Sequence, residues 1–312
     1  MTDEYRTLVE AYARYGGEVD ALNMPDVAHL LVHGNRVLSS RPVPGLDIHV
    51  EETGTGVKIK LVILKGYRIE HPVHLCFGVL PKEGIQQIDS VIIAEEGASV
   101  ELLAHCTFPN ATRVRHVMNA EMEIQRDATI TYNETHYHGP HGGVEVVPKA
   151  RVSIERGGRL TTGFTLTEGR VGRLEMDYDV HVGEGATADM SVKVYGRGDD
   201  DILIRERTVL AGEEARSVIK SRVAVRDRAR STVESITEGA APYSRGHVDC
   251  VEIVQDDAVA VAIPRVSVVD RKAKVTHEAA IGSVDKKQME TLMSRGLDES
   301  EAVDVIIRGL LR

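Results

Sequence analysis

A mostly β protein built as a right-handed parallel β-helix, a β-solenoid, is the fold class this sequence predicts, on three observations. From about residue 46 to 276 the helical hydrophobic period is nearly absent, and short runs alternating apolar with polar residues take its place. A turn phrase recurs through that region at an even step. The interior material is Val, Ile, Leu and Ala, since only 4% of the 312 residues are aromatic and Trp is absent.

Residues 1 to 15 predict a short amphipathic helix with Leu8, Val9, Tyr12 and Tyr15 on one side, ended by Gly16-Gly17. Next, His29 to His33 and Val37-Leu38 flank Gly34-Asn35, a two-residue connection that closes a tight hairpin. Arg41-Pro42-Val43-Pro44-Gly45 reads as a linker, because two prolines and a glycine interrupt any regular element.

Alternating runs follow, among them Val57 to Leu64, Val91 to Ile93, Ala128 to Tyr132 and Ser217 to Val225. The recurring phrase is one or two charged or Gly residues, then a small residue, then alternation. Its small-residue markers fall at 98, 128, 158, 186, 215, 229, 258 and 273, with intervals of 30, 30, 28, 29, 14, 29 and 15. Multiples of 14 to 15 are the mark of a stacked repeat. Each unit is strand, turn, strand, which buries its apolar face only when stacked on neighbours. A β-sandwich, whose turns also recur, is the alternative; its turns do not hold so regular a step.

After residue 282 the period changes to helical. Met289, Leu292 and Met293 are helically spaced, Ser294-Arg295-Gly296-Leu297 breaks the helix, and Asp298 with Glu301 forms a capping box for a last helix through Ala302, Val305, Ile306 and Leu310. Three segments result: 1–45, an N-terminal helix and hairpin; 46–282, the β-helix core; and 283–312, a small helical domain.

The net charge of −10 argues against nucleic-acid binding, which depends on neutralising phosphates. No apolar run is long enough for a membrane helix, and the N-terminus lacks the basic start and apolar centre of a signal peptide. Cys76, Cys106 and Cys250 are an odd set without framework spacing, so free thiols and a cytoplasmic location are expected. Neither a Gly-x-x-x-x-Gly-Lys-Ser/Thr loop nor a Gly-x-Ser-x-Gly elbow occurs, so the chain is not expected to hydrolyse nucleotide.

Two clusters could carry chemistry. Glu134 to Gly143 holds His136, His138 and His141; on a strand the first two share a face, and imidazole is a common metal ligand. The plain alternative is a polar loop. Around Cys250, strand geometry puts His247, Asp249 and Val251 on one face and Cys250 and Glu252 on the other. There the plain alternative is an inert core thiol, the reading given to Cys76 and Cys106. His277 and Glu278 would point to opposite faces of a strand, so one site can use both only at a strand end or an interface.

The closing stretch decides among these. Pro264, Val275-Thr276-His277-Glu278-Ala279-Ala280-Ile281-Gly282, and Met293-Ser294-Arg295-Gly296-Leu297 through Ala302 to Leu310 closely resemble the end of the SufB/SufD family. Thr135-His136-Tyr137-His138-Gly139 is similar to that family as well. The resemblance implies a non-catalytic scaffold of the SUF iron–sulfur cluster assembly system, dimerising through its β-helix core and carrying a SufC-type ABC ATPase on its C-terminal helices. Met289, Leu292, Met293, Arg295, Gly296, Ala302 and Ile306 are then the candidate docking residues. The same resemblance implies a transient iron–sulfur cluster on a cysteine with a nearby histidine and glutamate. His277 matches the family's histidine, and Glu278 the SufB-type glutamate, where SufD-type chains carry glycine. Cys250 is the candidate thiolate, although Asp249 is the residue in register with the SufB cysteine when the chain is aligned back from Pro264.

The chain lacks the longer N-terminal region of many SufB proteins and resembles a compact archaeal or early-bacterial form, in which one polypeptide serves both roles as a homodimer. A heterodimer with a paralogue, and a role for a flavin, stay open. Competing readings are a β-helix carbohydrate-active enzyme, which would need clustered carboxylates on an exposed groove, and a metal-binding β protein using His136, His138 and His141.

Overall fold

The computed structural model describes residues 3–14 and 19–311, and within these ranges the side chains of Asp3, Ala11, Tyr12 and Arg14 are not described. Tyr12's side chain, Tyr15 and Gly16-Gly17 thus lie outside the described set. Helix α1 (Asp3–Arg14) carries the buried Leu8. Strands β1 (His29–His33) and β2 (Arg36–Arg41) form the expected antiparallel hairpin around Gly34, whose φ of +59° suits glycine.

The chain then winds through β3 (Leu46–Glu52), β4 (Gly56–Ile63), β5 (Val73–Gly78), β6 (Glu83–Ala94), β7 (Ser99–Phe108), β8 (Arg113–Ile124), β9 (Thr129–His138) and β10 (Val144–Ile154). It continues through β11 (Arg159–Glu168), β12 (Arg173–Val182), β13 (Thr187–Gly196), β14 (Asp201–Leu210), β15 (Arg216–Val225), β16 (Arg230–Gly239), β17 (Arg245–Val254), β18 (Val259–Val268) and β19 (Lys274–Gly282). Successive strands alternate between two sheets. One runs β19-β17-β15-β13-β11-β9-β7-β5-β1-β2 and the other β18-β16-β14-β12-β10-β8-β6-β4-β3. From β5 and β4 onward the neighbours are parallel, so each coil is two strands and the whole is a parallel β-solenoid of about eight coils. The N-terminal hairpin joins the same stack, because β1 pairs with β5.

The repeat step has a concrete cause. At each corner the marker residue closes a four-residue turn, as in Ala98 N–H to Glu95 O (2.9 Å) and Ala128 N–H to Gln125 O (3.0 Å). At the corners before β7, β9, β11, β13 and β15 the residue before it is left-handed: Gly97, Asp127, Gly157, Gly185 and Glu214 all have φ between +57° and +70°, while at 229 and 258 the left-handed residue is Asp227 or Asp256, two before the marker. Glycine takes that conformation freely and Asp tolerates it, which explains the charged-or-Gly letter of the phrase. The marker itself is buried (Ala98, Ala128, Ala186, Ala215, Ala229) where the two sheets meet, so only a small side chain fits. The markers at 229 and 258 precede β16 and β18 and sit at the opposite corner, which is why the step there halves.

Every second side chain points inward and stacks on its equivalent in the next coil. One row runs Leu102, Tyr132, Thr162, Met190, Ile219 and Val248 and reaches His277. Its neighbour runs Ala104, Glu134, Phe164, Val192, Ser221, Cys250 and Ala279. Facing them from the other sheet is Ser90, Ala120, Ala150, Tyr178, Glu206, Ser235 and Pro264. Most rows are aliphatic and form one continuous core. Outside, ion pairs bridge successive coils, as in Arg151–Asp177–Arg205–Glu234–Arg265.

The solenoid ends open. On β18 and β19 the inward positions have no further coil above them, leaving Val266, Val268 and Ile281 38, 51 and 50% exposed. Helices α2 (Lys286–Met293) and α3 (Glu299–Leu310) fold back beside this end. Asp298 and Glu301 form the expected capping box. Val303, Ile307 and Leu311 pack on Tyr195 and Ala224, and the Tyr195 hydroxyl donates to Asp304 (2.5 Å), which also pairs with Arg226 (2.9 Å).

Candidate functional site

The last two coils gather the residues singled out near the C-terminus and sort them onto two faces. Cys250 and Glu252 lie on the inner face of β17 and are buried. His277 lies on the inner row of β19, opposite Val248, and is therefore a diagonal neighbour of Cys250 on the same face. It is exposed because the stack ends there. On the outer face Asp249 pairs in register with Glu278, and His247 with Thr276, its Nδ1 lying 2.9 Å from the threonine hydroxyl. Asp249 is also gripped by Arg222, Nη2 to Oδ2 at 2.5 Å, which holds its carboxyl below the usual range. Cys250, Glu252 and His277 thus share one face, and His247, Asp249 and Glu278 the other.

Cys250 sits in polar surroundings unusual for a solenoid interior. Its Sγ lies 3.5 Å from the Ser235 hydroxyl, and Ser221 stacks beneath it in the same row. Ser221 donates to Glu206 (3.2 Å) and Ser231 to Glu252 (2.9 Å). Burial pushes the Cys250 thiol up, and hydrogen bonds from Ser235 and Ser221 pull the other way. Burial likewise raises Glu252, and raises Glu206 to about 8, so Glu206 is held as the neutral acid near pH 7. A thiol, two carboxyl groups and three hydroxyls therefore line the interior directly beneath the open end.

A second polar group lies deeper. Cys106 on β7, His116 on β8 and His136 on β9 are all buried, and one donor atom from each lies within 4.8 Å of the others. Glu134 and His138 adjoin them. His136 and His138 share the inner face as strand alternation requires, whereas His141 is exposed on the turn after β9 and stands apart. Cys76 is buried outside the main core, in a small cluster with Leu22 and Leu31.

The docking candidates divide. Ala302 is fully buried, and Met289 and Ile306 are partly buried against the cluster of Val303, Ile307 and Leu311. Leu292 is half-buried, while Met293, Arg295 and Gly296 are exposed at the bend between the helices. A cleft of about 570 Å³ between these helices and the terminal coil is lined by Ile253, Ile281, Gln288, Ile306 and Leu310.

Residue reasoning missed His116, Glu134 and Glu206. The signal was the step itself: laying the chain out in coils of about 30 stacks Cys106 on His136. For His116, only the two-sheet alternation, which brings β8 across the interior, reveals the contact.

Comparison with known proteins agrees with this architecture. Residues 79–310 match the family described as SUF system FeS cluster assembly, SufBD core domain. An iron-sulfur cluster assembly SufBD family protein of Methanocaldococcus jannaschii is 41% identical over 311 residues, spanning 100% of this chain and 98% of that protein. One from Pyrococcus horikoshii is 33% identical over 308 residues, 99% of this chain and 94% of that protein. The match runs through the solenoid and its helical end alike, and the chain belongs to the SufBD family of the SUF iron–sulfur cluster assembly system.

Proposed function

We propose that this chain is the scaffold on which an iron–sulfur cluster is assembled, working as a homodimer joined through its open solenoid ends. The observation that carries the reading is the placement of Cys250 and His277 on one face at that end, where the last coil also leaves inward apolar residues that only a further layer would cover. A second copy supplies such a layer: the free edges of β18 and β19 present unpaired backbone groups to it. The cluster is cargo. Thiolate, imidazole and carboxylate are all iron ligands, and a mixed set binds less tenaciously than four thiolates.

Cys250 must lose its proton to bind iron, against the burial that favours the neutral thiol; the Ser235 hydroxyl is placed to stabilise the thiolate. His277 would add a neutral imidazole from the adjacent strand. Glu278, on the outer face beside Asp249, reaches such a site only through a shift of β19 or from the partner copy. A SufC-type ABC ATPase docked on residues 283–312 would supply the movement. The exposed Met293, Arg295 and Gly296 are its first contacts, and the cleft between the helices and the terminal coil leaves room for the helices to shift.

Anaerobic reconstitution tests the reading. The wild-type chain should take up iron and sulfide, and Cys250→Ser, His277→Ala and Glu278→Ala should each hold less. Cluster content unchanged in all three overturns the site. Failure of the chain to capture its cognate ATPase, with and without residues 283–312, overturns the partnership.

A further inference from the structure

We propose that Cys106, His116 and His136 bind a divalent transition-metal ion of the zinc or ferrous type inside the solenoid, at a site separate from the open end. This goes beyond the assembly role and does not depend on it. β7 and β9 are neighbours in one sheet, with Cys106 and His136 directly paired, and β8 in the opposite sheet brings His116 across the interior. The three side chains are 0, 0 and 1% exposed, and one donor atom from each lies within 4.8 Å of the others. Tetrahedral coordination by nitrogen and sulfur needs donors about 3.5 Å apart, a distance within reach of small side-chain rotations.

The hydrogen bonds around the group are those of a metal site. His136 Nε2 lies 2.6 Å from Glu134 Oε1, and the Tyr132 hydroxyl donates to Glu134 Oε2 (2.9 Å). A carboxylate on one imidazole nitrogen orients the ring and leaves the other nitrogen, here Nδ1, with its lone pair free for a metal. The next histidine is fixed as well. His138 Nδ1–H donates to the Arg170 carbonyl (2.9 Å), so its Nε2 also carries a lone pair, 3.4 Å from His136 Nδ1. Two lone pairs facing each other are repulsive unless a cation lies between or beside them. His138 is therefore the available fourth donor.

A metal-free arrangement can relieve that pair. If Glu134 is protonated and donates to His136 Nε2, then His136 Nδ1–H donates to His138. It does nothing for the other two residues. Among the described residues both ring nitrogens of His116 are buried without a hydrogen-bond partner, although in any neutral tautomer one is a donor and the other an acceptor. Buried polar groups are almost always satisfied, so a doubly orphaned imidazole needs a reason to be there. Among the described residues the one hydrogen-bond partner of Cys106 Sγ is the Met118 sulfur, at 4.0 Å. A divalent ion engages His116 and Cys106 together, and its two charges balance the Cys106 thiolate and the Glu134 carboxylate, so the buried group is neutral overall.

Thiolate with two or three imidazoles selects zinc or ferrous iron over magnesium or calcium, which take oxygen donors. The site is enclosed by its coils, so the ion enters as the chain folds. Cys250 lies four strands beyond His136 along the same sheet, about 19 Å away at ordinary strand spacing, so the two sites can be told apart.

The test uses the full chain, unfolded with a chelator and refolded with Co²⁺ as the probe. A Cys76→Ser/Cys250→Ser double variant keeps Cys106 as its only thiol and leaves the proposed ligands intact. Refolded wild type and double variant should both show a thiolate-to-cobalt charge-transfer band with intense tetrahedral d–d absorption. Cys106→Ser should lose the charge-transfer band, and His116→Gln should weaken binding by about tenfold or more. Refolded wild type that takes up no cobalt, or a charge-transfer band lost in the double variant, overturns the site. X-ray absorption of the zinc-refolded wild type gives a check free of substitutions: one sulfur with two or three nitrogens is expected, and a shell with no sulfur overturns it. Cluster content and ATPase capture are read separately, so loss of those with the cobalt spectrum intact counts against the assembly role alone.

Discussion

Glu206 shows how much a single inward-facing carboxyl can shape this protein's response to pH. It is fully buried, accepts one hydrogen bond from Ser221 on Oε2, and among the described residues has no partner on Oε1. Burial raises its pKa from 4.5 to about 8, so the folded chain keeps a proton that the unfolded chain gives up between those values. The folded state binds more protons there, and stability falls as pH rises. The contribution is fully present below about 4.5 and is lost as pH passes through about 8. Glu206→Gln removes the titration while keeping a neutral polar side chain. Wild type should therefore lose on the order of 2 kcal/mol more than the variant between about pH 6 and pH 8. Urea unfolding of both proteins at the two pH values measures it, and parallel pH dependence would show that Glu206 ionises freely in the fold. At this scale the sequence was only half legible. Strand alternation correctly separates Cys250 and Glu252 from His247 and Asp249. It cannot say which face is inward, because both carry polar residues; that depends on where the neighbouring coil lies.

Among elements, the corners and caps were the most readable, since each rests on local chemistry. A left-handed residue followed by a small buried one writes the corner into the sequence, and Asp298-x-x-Glu301 writes the start of α3. Less visible was how the elements pair. The hairpin of β1 and β2 reads as a separate N-terminal piece, but its pairing with β5 is non-local and leaves no mark within the hairpin itself. The cap yields a prediction of its own. Asp298 accepts from the Glu301 N–H (2.8 Å), and Glu301 Oε2 accepts from the Asp298 N–H (2.9 Å). Asp298→Ala removes one of these and exposes the first turn of α3, at a cost of about 1 kcal/mol. Because α3 is held on the solenoid by Val303, Ile307 and the Tyr195–Asp304–Arg226 group, the loss should stay local. Amide exchange in residues 299–303 should speed up several-fold with β13 and β15 unchanged. Uniform acceleration through those strands would mean that the helices and the solenoid open as one unit.

For the whole molecule, a stacked repeat turns one question, what each coil buries, into another, what covers the last coil. Along the stack each coil is covered by the next, and at the start the antiparallel strands β2 and β3 lie on the sheet edges. At the far end Val266, Val268 and Ile281 stay 38 to 51% exposed on inward positions of the last coil, the coil that carries His277 and lies one layer beyond Cys250. The 14-to-15-residue step made the stack legible, but not its open end, because Val266 and Val268 alternate like any buried strand. Self-association through this end is the expected consequence, and one substitution isolates it. Val268→Lys alters a side chain already half in water, so the single chain should fold as before. In a dimer the same lysine would be buried without a counter-charge, which costs several kcal/mol. Dimerisation should weaken by at least about tenfold, with each 1.4 kcal/mol worth a factor of ten. Leu203→Lys, at a comparably exposed apolar position on the outer face of β14, is the control and should leave association unchanged. Sedimentation of the three proteins over a concentration series decides the matter: equal dissociation constants for wild type and Val268→Lys would move the interface elsewhere, and with it the layer that is to close over Cys250 and His277.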